Sequence, residues 1–137
     1  MRRAVWRGNP QMSPFDPKAF LRDIVRQDAD ALRGYFLPDA IVCWHNTNER
    51  FTAGEYIRAN CEYPGDWDGE VERVEVACSG AVLVVVARVW DDAVAARVTS
   101  FIQLANGMIE RLDEYWGDVG EPPGWRKAMG IGKAVSG

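Results

Sequence analysis

Residues 81–116 decide the fold of this chain, and they read AVLVVVARVWDDAVAARVTSFIQLANGMIERLDEYW. The stretch divides into three runs rich in Val, Ile, Phe and Trp, which are separated by the short breaks DDAV and ANGM. Runs of this length and composition are typical of β-strands, and breaks this short join antiparallel neighbours. The sequence therefore predicts three consecutive strands of one sheet.

Alternation of side chains predicts which faces of these strands are buried. The inward candidates on the second and third strands are Val98, Ser100, Ile102, Leu104, Leu112, Glu114 and Trp116. The first strand is apolar at nearly every position, so both of its faces should be covered. A sheet of this kind needs helices over one face and a partner on the other.

Length and composition limit what the rest of the chain can be. A chain of 137 residues is expected to form one domain, and its six Trp, five Phe and four Tyr suggest an aromatic-lined cavity. The net charge of -4 argues against nucleic acid as a partner. The longest uninterrupted apolar run, residues 81–87, is too short to cross a bilayer, so we expect no membrane partner.

The cysteines and the N-terminal residues predict the compartment and the absence of cofactors. Cys43, Cys61 and Cys78 cannot all pair and lack the spacing of a metal motif. The first residues are basic but have no apolar segment behind them. We therefore expect a cytoplasmic protein with reduced thiols, no metal and no cofactor.

Helix and strand signals predict an arm at residues 1–14, a domain at 15–118 and an irregular tail at 119–137. Asp16 and Pro17 suit the start of a first helix, and Thr52 with Glu55 matches the capping box of a third. The other expected elements are a helix near 29–35 that ends before Pro38, a strand at 40–44 and a strand at 70–78. The predicted order is helix, helix, strand, helix and four strands.

That order, with Gly107-x-Ile109 and the ending Glu114-Tyr-Trp-Gly-Asp118, resembles the nuclear transport factor 2-like superfamily, and in particular its SnoaL-like and ketosteroid-isomerase-like branches. The resemblance covers residues 15–118. It implies an α+β fold in which a cone-shaped, curved antiparallel sheet wraps around N-terminal helices, as in a cystatin-like α+β barrel, and leaves a pocket. It implies no single activity, because the superfamily includes cyclases, isomerases, dehydratases, hydrolases and members without known activity.

The resemblance can be tested against the isomerase mechanism, in which an Asp base works with a Tyr and a protonated Asp that bind the enolate. The Tyr position falls on Phe20, the base on Trp44 and the second Asp on Ser100. Phe and Trp side chains cannot perform these proton transfers. We therefore do not expect ketosteroid isomerisation by the usual residues.

The same register implies which side chains line the pocket. The inward positions are Phe20, Val42, Trp44, Val82, Val84, Val86, Arg88, Trp90, Val98, Ser100, Ile102, Leu112, Glu114 and Trp116. Asn46, further along the chain from Trp44, is a candidate for positioning a ligand, and Tyr63, Trp67 and Trp125 are candidates for its rim. Mostly apolar linings with a few polar groups are typical of small-molecule sites, and also of a plain core.

Glu114 is the main candidate for acid–base catalysis, with His45 as a second. Without a partner, a buried carboxyl has a raised pKa that suits a general acid or base. Beside Arg88 it would instead be held ionised as a structural ion pair. His45 points away from Trp44 on an alternating strand, and a loop histidine bonded to the backbone is the other interpretation.

Two functions remain open from the sequence. The first is a domain that binds a small, largely apolar organic molecule and performs cofactor-free isomerisation, cyclisation or dehydration. The second is a non-catalytic binding or dimerisation module with a structural Arg88–Glu114 pair. In either case, the outward residues Thr99, Phe101, Gln103, Arg111 and Tyr115 predict a homodimer through the sheet.

Overall fold

The computed structural model describes residues 15–135, so the predicted arm at 1–14 and residues 136–137 lie outside the described part. Its helices are α1 (Pro17–Val25), α2 (Ala29–Arg33), α3 (Ala53–Cys61) and α4 (Gly124–Lys127). Its strands are β1 (Phe36–Trp44), β2 (Glu49–Thr52), β3 (Asp68–Ala77), β4 (Val82–Trp90), β5 (Ala95–Ala105) and β6 (Met108–Asp118). None of the described helices combines the length and the apolar character needed to cross a membrane.

The predicted helix starts are confirmed by their capping bonds. The Asp16 side chain accepts from the backbone N–H groups of Lys18 and Ala19, with Pro17 as the first helical residue. At α3, the Thr52 hydroxyl accepts from the Glu55 backbone at 3.1 Å, and the Glu55 carboxylate accepts from the Thr52 backbone at 2.9 Å. These bonds satisfy N–H groups that have no partner inside a helix.

The six strands form one curved, unclosed sheet in the order β2-β1-β6-β5-β4-β3. The expected α+β class is confirmed. The sheet is antiparallel, as expected, at every pairing but one, because β1 and β6 run parallel. The last strand of the β3–β6 meander lies beside β1 and runs in the same direction. Short hairpin loops predict pairing only between consecutive strands, so they do not predict this one.

Two local predictions differ from the structure. The second helix ends at Arg33, and β1 then runs through Pro38, at a point where the β1–β6 register is irregular between Phe36 and Ile41. A proline without an N–H is tolerated where ladder pairing lapses. The short strand β2, which pairs with the end of β1, was not predicted.

The core lies between the helices and one face of the sheet. Helices α1 and α3 pack against the strands β3 and β1. The largest fully buried side chains are Tyr56, Leu32, Ile102, Ile109, Leu112 and Val42. The inward faces predicted for β5 and β6 are confirmed, since Val98, Ser100 and Glu114 are also buried.

The face predicted for β4 is wrong by one residue. The buried positions are Leu83, Val85, Ala87 and Val89, whereas the expected inward residues Val82, Val84, Val86, Arg88 and Trp90 lie on the other face, half-buried. Paired residues of neighbouring strands share a face, and Val85 pairs with Ser100. Because a one-residue shift exchanges the faces of a strand, and because β4 is almost uniformly apolar, alternation carried no information here.

Candidate functional site

Three inward side chains from neighbouring strands form a row across the middle of the sheet. Glu114 on β6 pairs with Trp44 on β1 and with Ser100 on β5. Paired residues point to the same side of a sheet, so the register alone brings an indole, a carboxyl and a hydroxyl together under the helices.

The Glu114 carboxyl is 2% exposed, and each of its oxygens accepts one hydrogen bond. Trp44 Nε1 donates to Oε1 at 3.0 Å, and Ser100 Oγ donates to Oε2 at 2.8 Å. Burial raises the pKa of this carboxyl, and the donors Ser100, Trp44 and Trp116 offset only part of that rise. A carboxyl with a raised pKa keeps or accepts a proton at a higher pH than an exposed one, which suits a general acid or base.

The Trp116 indole N–H is directed towards this carboxyl without completing a hydrogen bond. It favours the ionised form of Glu114, but its Nε1 atom is buried with no hydrogen-bond partner in the part of the chain that the structure describes. The polar group therefore remains available to an oxygen atom that enters the space beside Glu114.

The sequence left open whether Glu114 pairs with Arg88, and within residues 15–135 the two side chains do not pair. None of the ion pairs within residues 15–135 involves Glu114. Arg88 lies on the outward face of β4, where its guanidinium carbon is 4.8 Å from the centre of the Trp90 ring. The pairing was inferred from the incorrect face of β4.

A cavity of about 350 Å³ opens beside this row, between the helices and the ends of β5 and β6. Its lining comprises Ile24, Val25, Gln27, Trp44, Asn46, Thr47, Asn60, Tyr63, Trp67, Val89, Val94, Ala96, Trp116, Gly117 and Asp118. A second cavity, of about 20 Å³, includes Glu114, Ser100 and Phe20 in its lining. Ile24 and Trp116 line both cavities, and Trp44, which is bonded to Glu114, lines the larger one.

No protein-family model matches the sequence, and no curated protein matches it. Solved structures do resemble it. A protein of unknown function from Burkholderia xenovorans, described as NTF-2 like, aligns with a TM-score of 0.68 at 22% identity over 85% of this chain and 90% of its own. A candidate ketosteroid isomerase from Kribbella flavida aligns with a TM-score of 0.63 at 24% identity over 87% and 93%.

A third structure, a candidate SnoaL-like polyketide cyclase from Shewanella putrefaciens, has a TM-score of 0.56 at 17% identity over 70% of this chain and 73% of its own. The chain has the nuclear transport factor 2-like fold. The resemblance inferred from the sequence is thereby confirmed as a likeness of fold, which does not assign a reaction.

The nuclear transport factor 2-like fold brings together only some of the predicted pocket residues. Trp44, Asn46, Trp67 and Trp116 line the larger cavity, as does the predicted rim residue Tyr63. The smaller cavity is lined by Phe20, Ser100, Ile102, Glu114 and Trp116.

Other predicted pocket residues lie elsewhere in the nuclear transport factor 2-like fold. Val86, Arg88 and Trp90 are not in either lining, because they lie on the outward face of β4. Trp125, expected at the rim, is 67% exposed in α4 and lines neither cavity.

Several lining residues were not predicted as pocket residues, and a network of long-range bonds holds two of them. Gln27 follows α1 in a left-handed conformation with φ of 55°, and its amide donates to the carbonyls of Asn60 and Tyr63 at 2.9 and 2.8 Å. The Asn60 amide donates to the Ile24 carbonyl at 3.0 Å. These bonds join the ends of α1 and α3 at the wall of the cavity, and no periodic pattern in the sequence signals them.

The backbone N–H of His45 donates to the Glu114 carbonyl at 3.0 Å, but the two side chains point to opposite faces of the sheet, so the two predicted catalytic groups do not converge. The Nε2 atom of His45 is 2.7 Å from Asp113 Oδ1, and its ring stacks on Tyr115 with the centroids 4.5 Å apart. Asp113 and Tyr115 flank Glu114 on β6 and therefore point to the opposite face. The side chain of His45 is bonded to a carboxylate, not to the backbone.

Cys43, His45 and Asp113 could together ligate a metal ion, since their ligand atoms lie within 4.8 Å of one another. Arg111 already supplies a positive charge there, with Nε 2.8 Å from Asp113 Oδ2 and Nη2 3.5 Å from Cys43 Sγ. Burial raises the pKa of the Asp113 carboxyl, but bonds from Arg111 and His45 outweigh burial and lower the pKa below its usual value. A metal would have to displace this guanidinium.

Proposed function

We propose that this chain binds a small, largely apolar organic molecule in its larger cavity and that Glu114 exchanges a proton with it. The observation that supports the proposal is a buried carboxyl with a raised pKa, held by neutral donors and next to an aromatic cavity. Cofactor-free isomerisation, cyclisation or dehydration needs a base of this kind. The names of two similar structures, a candidate polyketide cyclase and an epoxide hydrolase/cyclase-like enzyme, are compatible with such chemistry.

In this proposal Glu114 acts first as base and then as acid. The ionised carboxyl takes a proton from an acidic carbon of the ligand, and the neutral carboxyl then returns it to another carbon or to a departing hydroxyl group. Trp44 and Ser100 fix the carboxyl in position by their hydrogen bonds. The free Trp116 N–H supplies a donor for a ligand oxygen that gains charge.

The competing function is a binding module without catalysis. It is favoured by the low exposure of Glu114, 2%, and by the absence of Glu114 from the lining of the larger cavity. Native mass spectrometry identifies a ligand that co-purifies with the protein, and incubation of the protein with that ligand distinguishes the two functions. Chemical conversion of the ligand supports the enzyme, and an unchanged ligand supports the module.

Binding of an apolar molecule to the larger cavity can be tested with 2-naphthol. Trp67→Ala is expected to weaken 2-naphthol binding about tenfold, because it removes a large part of the aromatic wall. Isothermal titration calorimetry measures the change. Trp125→Ala is the matched control, since Trp125 lies outside the cavity, and equal losses in both variants would contradict this location of the site.

We also propose that the outward face of the sheet forms a homodimer. Phe101 and Tyr115, 43% and 48% exposed, meet there with ring centroids 6.0 Å apart.

Phe101→Glu is expected to raise the dimer dissociation constant at least about 100-fold, because it places a charge in an aromatic contact. Light scattering after size exclusion at micromolar protein should then show monomer for this variant and dimer for the wild type and for the exposed control Met129→Glu; a monomeric wild type would refute the dimer.

A further inference from the structure

The wall of the larger cavity carries charge of one sign. Asp118 is its only Asp or Glu residue, and no Lys, Arg or His lines it. Within residues 15–135 the Asp118 carboxylate takes part in no salt bridge. An exposed carboxylate at the end of a cavity wall attracts a positive charge and repels a negative one.

The uncharged polar groups of the wall also favour a positively charged ligand. The amide nitrogens of Gln27 and Asn60 are already bonded to backbone carbonyls, which leaves their oxygens as acceptors. The Thr47 hydroxyl donates to Glu49 at 2.7 Å. Asn46 differs, because its oxygen accepts from the Trp116 backbone at 3.4 Å and its amide nitrogen remains a donor. The other free donor of the wall is the Trp116 indole N–H. Acceptors still outnumber donors, and a ligand with donor groups or a positive charge satisfies more of them.

The aromatic residues of the wall add a further attraction for cations. Trp44, Trp67, Trp116 and Tyr63 line the cavity, and aromatic rings attract cations through their electron-rich faces. A second carboxylate lies close by, since a Cβ on Gly65 would be 2.7 Å from Trp67 Nε1 and 3.1 Å from Asp91 Oδ2. Backbone N–H groups of Val94 and Ala93 lower the pKa of Asp91, so it adds negative charge beside Trp67.

We propose that the larger cavity selects an organic cation, namely an amine or quaternary ammonium group carried on an apolar body. The charged group lies beside Asp118 and the indoles, and the apolar body lies against the aliphatic side chains of the wall. This inference rests on the proposed function, because it names the class of ligand for the same cavity. It does not depend on whether Glu114 is catalytic.

A pair of molecules with the same shape tests the proposal in the wild-type protein. Phenyltrimethylammonium and tert-butylbenzene differ in charge and hardly at all in shape. We expect the cation to bind about tenfold more tightly, as judged by tryptophan fluorescence, since a carboxylate at the rim and the aromatic faces each contribute modestly. Equal or tighter binding of tert-butylbenzene would overturn the inference and leave the proposed function standing. Failure of both molecules to saturate the protein would overturn both.

Two variants distinguish direct attraction of the cation by Asp118 from attraction by the overall negative charge of the protein. Asp118→Asn should weaken phenyltrimethylammonium binding about three- to tenfold and leave tert-butylbenzene binding within twofold. Asp92→Asn removes the same charge from an exposed residue outside the cavity, and it should change neither. An equal loss of cation binding in both variants would overturn the assigned contact. Circular dichroism checks that each variant is folded, and the comparison in the wild type stands without them.

Discussion

Replacing Val85 with Asp is expected to unfold the domain, whereas the same replacement at Val86 should leave the monomer folded. Val85 is 5% exposed and belongs to the cluster that contains Phe20 and Ile102. Its partner Ser100 is bonded to Glu114, so a new carboxyl would stand close to an existing one. Burial of an unpaired polar or charged group costs at least several kcal/mol, which is comparable with a total stability of about 5–15 kcal/mol.

Val86 provides the matched control because it is the same residue type one position further along the strand. It is half-buried on the outward face, opposite Thr99. Urea denaturation followed by circular dichroism measures both variants, and size exclusion reports any loss of the proposed dimer at Val86. If Val86→Asp unfolds the monomer and Val85→Asp does not, the face of β4 is the one that the sequence suggested.

Glu114→Gln is expected to stabilise the protein at neutral pH and to abolish any turnover. The pKa of Glu114 in the folded state lies above its ordinary value of 4.5 because of burial. Below pH 4.5 the folded and unfolded states both hold the proton, and the stability is full. As the pH rises through the folded-state pKa, the unfolded chain has already released its proton, so stability is lost, by about 1.4 kcal/mol for each unit between the two pKa values.

The Gln variant removes this slope. Its amide oxygen can accept from Trp44 and one amide N–H can donate to Ser100 Oγ. The Ser100 hydroxyl proton and the second amide N–H then lack the acceptor that the carboxylate supplied, which offsets part of the gain. Thermal denaturation from pH 4 to pH 9 measures the slope, with the exposed Glu110→Gln on the same strand as control. A loss of several kcal/mol at pH 8 would mean that a cation compensates Glu114 after all. A double-mutant cycle with Arg88→Met, expected to be additive, identifies or excludes Arg88 as that cation.

The faces of β5 and β6 were predictable because polar residues mark them. Ser100 stands between the buried residues Val98 and Ile102, and Glu114 stands between the buried Leu112 and the half-buried Trp116. Arg97 and Gln103 mark the outward side. Residues 81–90 contain a single charged side chain and no such marks. The face of β4 is therefore decided by the four-residue turn before Ala95, which sets Trp90 opposite that residue, and not by the composition of the strand.

The cavity could be predicted only in part, because its wall is built by contacts between distant segments. Trp44 and Trp116 follow from the strand register. Gln27 and Asn60 depend on a left-handed residue after α1 and on bonds that span more than thirty positions of the chain. Asp118 was visible in the sequence as the end of the Tyr-Trp motif, but its place in the wall depends on where β6 stops.

The parallel pairing of β1 with β6 also determines at which stage of chain synthesis the site can form. Trp44 and Glu114 are separated by 70 positions in the chain, and the strand that carries Glu114 is the last of the sheet to leave the ribosome. During synthesis Trp44 and Ser100 emerge before Glu114, so their indole and hydroxyl groups have no carboxyl to bind until β6 is made. Contacts of such long range slow folding, and they leave the apolar edge of β1 uncovered until the end. A chain that stops before β6 therefore has no Glu114 carboxyl to hold and no site to form.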